Sequence, residues 1–243
     1  MPDLSCCTLL FQRDPILYFD LTETVRRGEG RVIHASSAGA LVAYTGFSHG
    51  GEDTGFTLCA ADPSAAQTLC GLLPARLDFL TVHEPFCLPL LRDRLGFPKS
   101  QACRQAVYPS RQPLPLPDCG FQVVRLTAAH LSQIRNHYPF GSTEYLVQRL
   151  EAGELYGAFR ENNLAGFVGR HTEGTIGLLE VLPQYRRQGV ATLLQRFMTN
   201  LELSRGHIPY GQVFEDNIPS LALQRSLGYR ISDGLLYWVS TNE

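Results

Sequence analysis

The segment from Leu179 to Ala191 constrains the fold of this chain more than any other part of the sequence. Its pattern predicts a buried strand, a proline stop and then an Arg-x-x-Gly-x-Ala turn that opens an amphipathic helix. The first backbone N–H groups of a helix have no partner within it, and the helix dipole places partial positive charge there. Gly189, inside the turn, lets an anion approach the backbone closely. The segment therefore predicts a strand–turn–helix unit that binds a phosphate or pyrophosphate.

Two other phosphate-binding patterns are excluded by the sequence. The chain contains no Gly-Lys-Ser/Thr, which a P-loop requires, and no Gly-x-Gly-x-x-Gly, which marks a dinucleotide-binding fold. An ordinary strand-to-helix connection with a surface arginine pair is the alternative interpretation of the turn. The residues beyond the helix decide between the two interpretations.

A second pattern lies directly after that helix. Residues Tyr210 to Glu215 predict a short strand, and the stretch from Asn217 to Tyr229 predicts a short helix. Asn217 is suited to cap this helix, Pro219 to its first turn and Gly228 to a left-handed C-cap. The chain therefore predicts a phosphate-binding helix, a strand and a capped helix in that order.

The order and spacing of these two patterns resemble the signatures of the GNAT superfamily of N-acetyltransferases. The first is Arg186-x-x-Gly189-x-Ala191 after a strand, and the second is an Asn before a short helix that ends in Gly and an aromatic residue. The resemblance covers about residues 121–240. It implies that the chain uses acetyl-CoA, or another acyl-CoA, as a co-substrate and needs no metal.

The resemblance also implies which residues bind the co-substrate. Backbone amides of the turn would hold the pyrophosphate, and the two arginines would add positive charge beside it. The motif strand would pair with the pantetheine arm, and the Asn at the mouth of the last helix would contact that arm from the other side. The implied residues are Val181, Arg186, Arg187, Gln188, Gly189, Val190, Ala191, Thr192 and Asn217.

Acylation of an amine requires a group that removes a proton from it. Glu180 points away from the side of Leu179 and Val181 in an alternating strand, so we expect Glu180 to be the general base. Glu173 and His171, at the preceding hairpin, are the second choices. A charged residue on a partly solvated strand is the alternative interpretation of Glu180.

The chain departs from the GNAT pattern at one catalytic position. Many members carry a tyrosine directly after the leucine of the last helix, where its hydroxyl can protonate the leaving thiolate. Here Leu223 is followed by Gln224. A glutamine amide can donate a hydrogen bond to sulfur but cannot give up a proton at neutral pH, so we expect Gln224 to stabilise the thiolate. Tyr229 and Tyr210 are the alternative acids.

These features predict an N-acetyltransferase, an acyl-CoA-dependent enzyme. It would transfer the acyl group to a primary amine of a small molecule or amino acid by direct attack in a ternary complex. The patterns Asn217-x-x-Ser220, Gly206-x-x-x-Tyr210 and Leu235-Leu-Tyr-Trp238 are similar to the glycine N-acyltransferase-like branch. A CoA-binding sensor without transferase activity and a protein N-acetyltransferase are the alternatives.

Four prolines between Pro109 and Asp118 predict an extended linker between two domains. We expect an α/β fold with a mixed sheet, in which residues 119–243 form the catalytic GNAT domain. Residues 1–108 form either a degenerate GNAT-like copy or an unrelated α/β cap domain. The repeat is suggested by a helix ending in Gly and an aromatic, which occurs at Leu90–Phe97 and again at Ala222–Tyr229.

Local signals predict the remaining elements of the catalytic half. Thr127 is suited to start one helix, and Ser142 or Thr143 to cap another. Two strands are predicted around an Asn162-Asn163 turn, and the helix of the phosphate-binding unit is predicted to start at about Arg187.

Composition and charge limit which other partners, such as nucleic acids, membranes or metals, the chain is expected to bind. The net charge of −2 at pH 7 argues against a nucleic-acid surface, and no apolar run is long enough to cross a membrane. The seven cysteines are odd in number and lack zinc-type spacing, so we expect free thiols in a reducing cytoplasm and no metal. No interface signal separates a monomer from a homodimer.

Overall fold

The computed structural model describes residues 3–45, 48–49, 52–96, 100–138 and 141–240. By its internal contacts the chain divides into two compact units. The first unit combines Met1–Val107 with Gln212–Glu243, and the second is Tyr108–Gly211. The first unit is therefore discontinuous in sequence, because the residues of the second unit are inserted between its two segments.

The described residues form strands and α-helices with short 3₁₀ turns between some of them. The strands are β1 Gly30–Ser36, β2 Gly39–Tyr44, β3 Ser48–His49, β4 Glu52–Asp53, β5 Gly55–Ala60, β6 Phe79–Val82, β7 Ser100–Val107, β8 Gln122–Arg125, β9 Leu155–Arg160, β10 Asn163–Arg170, β11 Ile176–Val181, β12 Tyr210–Phe214, β13 Arg230–Ile231 and β14 Leu236–Ser240. The helices are α1 Thr8–Phe11, α2 Phe19–Arg26, α3 Pro63–Gly71, α4 Cys87–Leu95, α5 Leu131–His137, α6 Thr143–Glu151, α7 Val190–Ser204 and α8 Ile218–Ser226. The 3₁₀ turns are Ser5–Cys7, Ala128–His130 and Pro183–Tyr185.

The sheet of the first unit is mixed and has the strand order β1-β2-β5-β6-β14-β7-β12, with β13 paired to β7. Strands β5 and β6 are parallel, whereas β14 runs antiparallel to both of its neighbours, β6 and β7. Trp238 of β14 pairs with Thr81 on one side and with Gln101 on the other. A strand from late in the sequence therefore separates two strands from the first half.

Helices cover both faces of this sheet. Along β2, Leu41 and Ala43 lie in a core cluster with side chains of α3 and α4, whereas Ala40 and Val42 lie in a second cluster with Leu10, Leu17 and Leu21 from the N-terminal helical segment. Successive strand side chains point to opposite faces, so β2 contributes to both cores and is buried along its whole length.

The second unit contains an antiparallel sheet with the order β11-β10-β9-β8. One face packs against α7, where Leu193, Leu194 and Met198 are buried. The other face packs against α5 and α6, where Ile134 and Leu146 are buried. Strand β11 lies at one edge of this sheet and leads directly into the predicted phosphate-binding turn.

Most elements predicted for residues 119–243 are present within two residues of their predicted ends. Thr127 and Ser142 cap the two helical segments that they were predicted to start. The turn between β9 and β10 is one residue earlier than predicted. Glu161 and Asn162 have φ angles of 49° and 66°, while Asn163 is already paired with Arg160 in the ladder. The prediction of an Asn162–Asn163 turn was therefore wrong.

The proline-rich segment 109–118 contains no helix or strand, as predicted, but it is tied to the second unit. The backbone of Leu114 donates to Asn200 Oδ1 at 2.7 Å and accepts from Asn200 Nδ2 at 2.8 Å. Arg196 Nη1 donates to the carbonyl of Pro115 at 2.6 Å. By contacts, residues 212–243 group with the N-terminal part of the chain. That residues 1–108 and residues 119–243 form two separate domains stays a prediction.

Three further findings concern the whole described chain. All seven cysteines are free thiols. In the described ranges, no helix is both long enough and apolar enough to span a bilayer. The same residues contain no group of three or more His, Cys, Asp or Glu side chains that could hold a metal ion.

Candidate functional site

Strand β11 carries a bulge shortly before the turn. Its register against β10 shifts between the pairs Phe167–Glu180 and Gly169–Gly177, so β11 has one more residue than β10 over this stretch. Leu178, inside the bulge, has a φ angle of 52°. A bulge bends its strand and interrupts the ladder. The edge strand is therefore deformed at Leu178, two residues before the predicted base Glu180 and shortly before the predicted phosphate-binding turn.

The turn itself depends on two residues with left-handed backbone conformation. Arg187 has a φ angle of 63° and Gly189 one of 85°. Helix α7 begins at Val190, and its first hydrogen bond runs from the amide of Leu193 to the carbonyl of Gly189 at 2.9 Å. The prediction that the helix starts at Arg187 was wrong, because a left-handed residue cannot belong to a right-handed helix.

The N-terminus of α7 is open. Among the described residues, no acceptor is hydrogen-bonded to the backbone amides of residues 187–192, and no side chain caps the helix. By contrast, Asp62 accepts from the Ala65 amide at the start of α3, and Asn217 accepts from the Ser220 amide at the start of α8. Uncapped amides at a helix start favour an anion. The turn before α7 therefore fits the pyrophosphate that the sequence predicted.

The side chains of the turn are partly engaged by the protein. Arg186 Nε donates to the Val181 carbonyl at 3.1 Å, and its Nη2 lies 3.3 Å from Glu180 Oε1. Gln188 donates through Nε2 to the Gln184 carbonyl at 2.9 Å. Arg186 therefore connects Glu180, the predicted base, to the turn. The side chain of Gln188 is engaged within the protein, so the backbone amide is the group of Gln188 that a ligand could bind.

Arg160 fixes the turn to the sheet, and sequence reasoning missed it. Its guanidinium lies 3.9 Å from the centre of the Phe121 ring and donates to the Cys119 carbonyl at 3.1 Å and to Gln188 Oε1 at 3.0 Å. No local pattern distinguishes this arginine, because its partners lie 28 to 41 residues away. Arg160 is the described side chain that joins the Gln188 turn to the segment before β8.

Glu180 lies on the face of the sheet that was predicted for it. Leu179 and Val181 pack in the cluster with α7, whereas Leu178 and Leu182 pack in the cluster with α5 and α6. Alternation places Glu180 on the second face, with its side chain 31% exposed. Its carboxylate is thus accessible, half-shielded and held beside Arg186.

A buried polar group lies on this same face. Tyr145 of α6 hydrogen-bonds through its hydroxyl to His171 Nδ1 at 2.6 Å, and Glu173 accepts from the Thr175 hydroxyl at 2.8 Å. A Cβ on Gly177 would clash with the His171 ring, so only glycine fits there. The hairpin that joins β10 and β11 therefore carries a compact polar site, which we call the hairpin cluster: Tyr145, Arg149, His171, Thr172, Glu173 and Thr175.

The hairpin cluster has unusual proton affinities. Burial lowers the pKa of His171 below its ordinary value, and the charge of Arg149 acts in the same direction. Burial raises the pKa of Tyr138, and the charges of both Glu173 and Glu180 raise it further. Burial therefore favours the neutral imidazole of His171.

Two alternative tyrosines and the predicted thiolate partner are buried. Tyr210 donates to the Glu173 carbonyl at 2.5 Å, so its hydroxyl is committed to the hairpin. Asn217, Gln224 and Tyr229 belong to the first unit. Within the described residues, Gln224 Oε1 has no hydrogen-bond partner. The roles of Asn217 and Gln224 toward acyl-CoA stay predictions.

Comparison with known proteins agrees with this geometry. Residues 155–239 match the family model described as FR47-like protein. That match contains β9 to β11, the open turn, α7 and α8. No curated protein sequence matches the chain significantly.

Several solved structures have the same fold over nearly the whole chain. A Drosophila protein is 18% identical with a TM-score of 0.65, covering 99% of this chain and 95% of its own. A putative acetyltransferase from the GNAT family of Novosphingobium aromaticivorans is 18% identical, with a TM-score of 0.55 and coverage of 93% and 95%. A GCN5-related N-acetyltransferase from Kribbella flavida is 15% identical, with a TM-score of 0.56 and coverage of 94% and 95%. The predicted fold class is confirmed: the chain has a mixed α/β structure of the GNAT fold.

Proposed function

We propose that this chain is an acyl-CoA-dependent N-acyltransferase that acylates a primary amine of a small molecule or amino acid. The observation that carries the proposal is the open N-terminus of α7, whose first amides have no acceptor among the described residues. The printed names of two neighbours, a GNAT-family putative acetyltransferase and a GCN5-related N-acetyltransferase, support the same reaction class. An anion-binding turn after an edge strand suits a substrate with a pyrophosphate and an extended arm.

The donor-binding groups are those of the turn and the strand before it. Amides of residues 187–192 would hold the pyrophosphate, with the Arg186 and Arg187 guanidinium groups nearby. Each exposed dipole contribution amounts to about 0.3–1 kcal/mol, so most of the affinity comes from several hydrogen bonds acting together. The edge of β11 at Val181 would pair with the arm of the donor. Arg186 must then release the Val181 carbonyl that it binds in this structure.

The transfer step needs a proton acceptor near the amine. Glu180 would take the proton from the ammonium group of the acceptor, directly or through water, and the free amine would attack the acyl carbonyl carbon. A C–N bond forms, the C–S bond breaks and the sulfur leaves as a thiolate that is then protonated. The products are an amide and the CoA thiol, and one proton is released. His171, whose pKa is lowered by burial, and Glu173 are the second choices for the base.

Titration of acetyl-CoA into the purified protein, followed by a thiol-release assay on a panel of amines, tests the proposal. We expect micromolar binding and thiol release that depends on an amine. Gly189→Glu should abolish binding, because it places a carboxylate and a strained left-handed side chain at the open amides. Gly206→Glu is the matched control, since Gly206 has a similar φ of 78° at the opposite end of α7.

Equal loss of binding in both glutamate variants would attribute the effect to backbone strain and contradict the assignment of the turn. Tight binding of acetyl-CoA without thiol release on any amine would replace the enzyme with a CoA-binding sensor. Absence of binding in the wild-type protein would overturn the proposal altogether.

A further inference from the structure

The side chain of Arg160, at the end of β9, contacts two other parts of the second unit. Its guanidinium donates from Nη2 to the Cys119 carbonyl at 3.1 Å and from Nη1 to Gln188 Oε1 at 3.0 Å. The same group lies 3.9 Å from the centre of the Phe121 ring. Arginine presents its donors in a rigid planar fork and stacks on aromatic rings. Arg160 therefore holds the segment before β8 and the turn before α7 in one arrangement.

The side chain of Gln188 is held at both of its ends. Its Oε1 accepts from Arg160, and its Nε2 donates to the Gln184 carbonyl at 2.9 Å. Gln184 and Tyr185 belong to the 3₁₀ turn that precedes Arg186. The Tyr185 ring packs edge to face on Phe121, with 5.9 Å between the ring centres. Two series of contacts therefore lead from Arg160 to the backbone just before α7.

The backbone on either side of Gln188 needs such support. Arg187 and Gly189 have φ angles of 63° and 85°. A left-handed conformation is unfavourable for a residue with a side chain, and it persists where surrounding contacts hold it. The backbone amides of residues 187–192 have no acceptor among the described residues, so hydrogen bonds of their own do not order them. The two contacts of the Gln188 side chain supply that order.

We propose that Arg160 is a positioning residue for the donor: through Gln188 it holds the open amides of the turn in the arrangement that binds the pyrophosphate of acyl-CoA. This inference rests on the proposed acyltransferase function. The hydrogen bonds of Arg160 go to carbonyl and amide oxygens, so they leave its positive charge unneutralised beside the turn. A fixed positive charge near an anion site favours the bound anion.

The proposal concerns one part of the donor, the pyrophosphate. Acetyl-CoA contains this group, whereas S-acetylpantetheine has the same arm and the same thioester without it. A contact that acts on the pyrophosphate changes the use of acetyl-CoA alone. A disturbance of folding or of the catalytic centre changes the use of both donors. The two donors therefore separate a positioning role from a general structural one.

The test measures thiol release from both donors, and acetyl-CoA affinity by titration, for the wild-type protein, Arg160→Met, Arg160→Lys and Gln188→Met. The double variant Arg160→Met/Gln188→Met completes a mutant cycle. The matched control is Arg125→Met. Arg125 is the last residue of β8 in the same sheet and donates to the Ala152 carbonyl at 3.4 Å, away from the turn.

We expect Arg160→Met to raise KM and Kd for acetyl-CoA at least about tenfold and to leave kcat within about twofold. The kcat/KM for S-acetylpantetheine should stay at the wild-type value. Gln188→Met should produce most of the same loss, and the double variant should lose no more than the weaker of the two single variants, because both remove one connection. Arg160→Lys should recover only part of the affinity, because lysine keeps the charge but not the planar fork.

Wild-type acetyl-CoA affinity in Arg160→Met would overturn the inference and leave the proposed function intact. The same holds for an equal loss with both donors, for a fall in kcat as large as the rise in KM, and for additive losses in the double variant. Failure of the proposed function gives a different result, because the wild-type protein would then release no thiol from either donor with any amine. Titration of ADP, which carries a diphosphate but no acyl group, decides that case. Binding of ADP that depends on Arg160 would keep the positioning role at an anion site, and absence of ADP binding would overturn both proposals.

Discussion

At the scale of single residues, the proposed chemistry depends on side chains that the bulge and the turn of β11 place together. Glu180 lies shortly after the left-handed Leu178, on the face that α5 and α6 cover, and Arg186 holds its carboxylate at 3.3 Å. The guanidinium of Arg186 keeps Glu180 oriented. Because the Arg186 side chain is exposed, it can move when a donor binds. Under the proposed function, this position would leave the Glu180 side chain 31% exposed to solvent while Arg186 orients it.

We expect Glu180→Gln to lower turnover about 100-fold or more and to alter the pH profile of kcat. Glutamine keeps an oxygen for Arg186 but cannot accept the proton of the amine. Acetyl-CoA affinity should remain near the wild-type value, as should the activity of the control Glu161→Gln in the exposed turn. Wild-type turnover in Glu180→Gln would move the role of base to Glu173 or His171, each then tested by its own substitution.

Single residues also show which features of the site could be predicted from the sequence. Gly189 and Asn217 could be identified because their roles depend on the local backbone: a left-handed turn and a helix cap. Arg160 could not be identified, because its importance comes from groups distant in sequence. It donates to the carbonyl of Cys119, which lies 41 residues earlier in the chain.

At the scale of elements, α7 organises the second unit through both its N-terminus and its sides. Its buried face closes the sheet, its first amides are open, and its exposed side holds the proline-rich segment. Two hydrogen bonds between Asn200 and Leu114 and one from Arg196 to Pro115 fix that segment in place. Prolines exclude helix and strand locally, as the sequence indicated, but composition cannot tell whether an extended segment is free or docked.

Asn200→Ala should release this segment. Losing two hydrogen bonds costs about 1–2 kcal/mol, which raises the population of the detached segment by about tenfold. Limited trypsin digestion should then cleave after Arg111 faster in the variant than in the wild-type protein, as detected by mass spectrometry. Ser204→Ala, at the end of the same helix, is the control. Rapid cleavage of the wild-type protein would show that the docked arrangement is not stable in solution.

At the scale of the whole molecule, the first unit carries its own buried ion pair. His83 Nε2 lies 2.9 Å from Asp20 Oδ1, and Gln212 donates to the other carboxylate oxygen at 3.3 Å. Burial alone would lower the pKa of His83, but the Asp20 carboxylate outweighs it and raises the pKa to about 9. This pair links residues from the beginning, middle and end of the sequence within one core.

The free energy of unfolding should fall as the pH rises from about 6.5 to about 9, the unfolded and folded pKa values of His83. Because the folded-state pKa of His83 exceeds the unfolded value, its stabilisation is complete below about pH 6.5 and is lost toward pH 9. Urea unfolding should show a loss of about 2 kcal/mol between about pH 6 and pH 8. Asp20→Asn should remove most of this slope. A slope unchanged in that variant would contradict a charged His83.

Local patterns predicted the elements of residues 119–243 well, but they could not predict which strands pair. Nothing near Leu236–Ser240 indicates partners at Phe79–Val82 and Ser100–Val107, which lie in the first half of the chain. The apolar alternation of such strands fits many neighbours equally well. Pairing is decided by the collective packing of the sheet, which the sequence of one strand does not contain.

The position of β14 between β6 and β7 has a consequence for how the chain folds during its synthesis. While the ribosome is still producing residues 212–235, the second unit has all of its four strands, but the first unit has an open seam in its sheet. Both bordering strands then expose unpaired backbone groups, which favour association with other chains. The seam stays open until residues 236–240 can pair with β6 and β7, so chaperone dependence should be concentrated in the interval before β14 emerges from the ribosome.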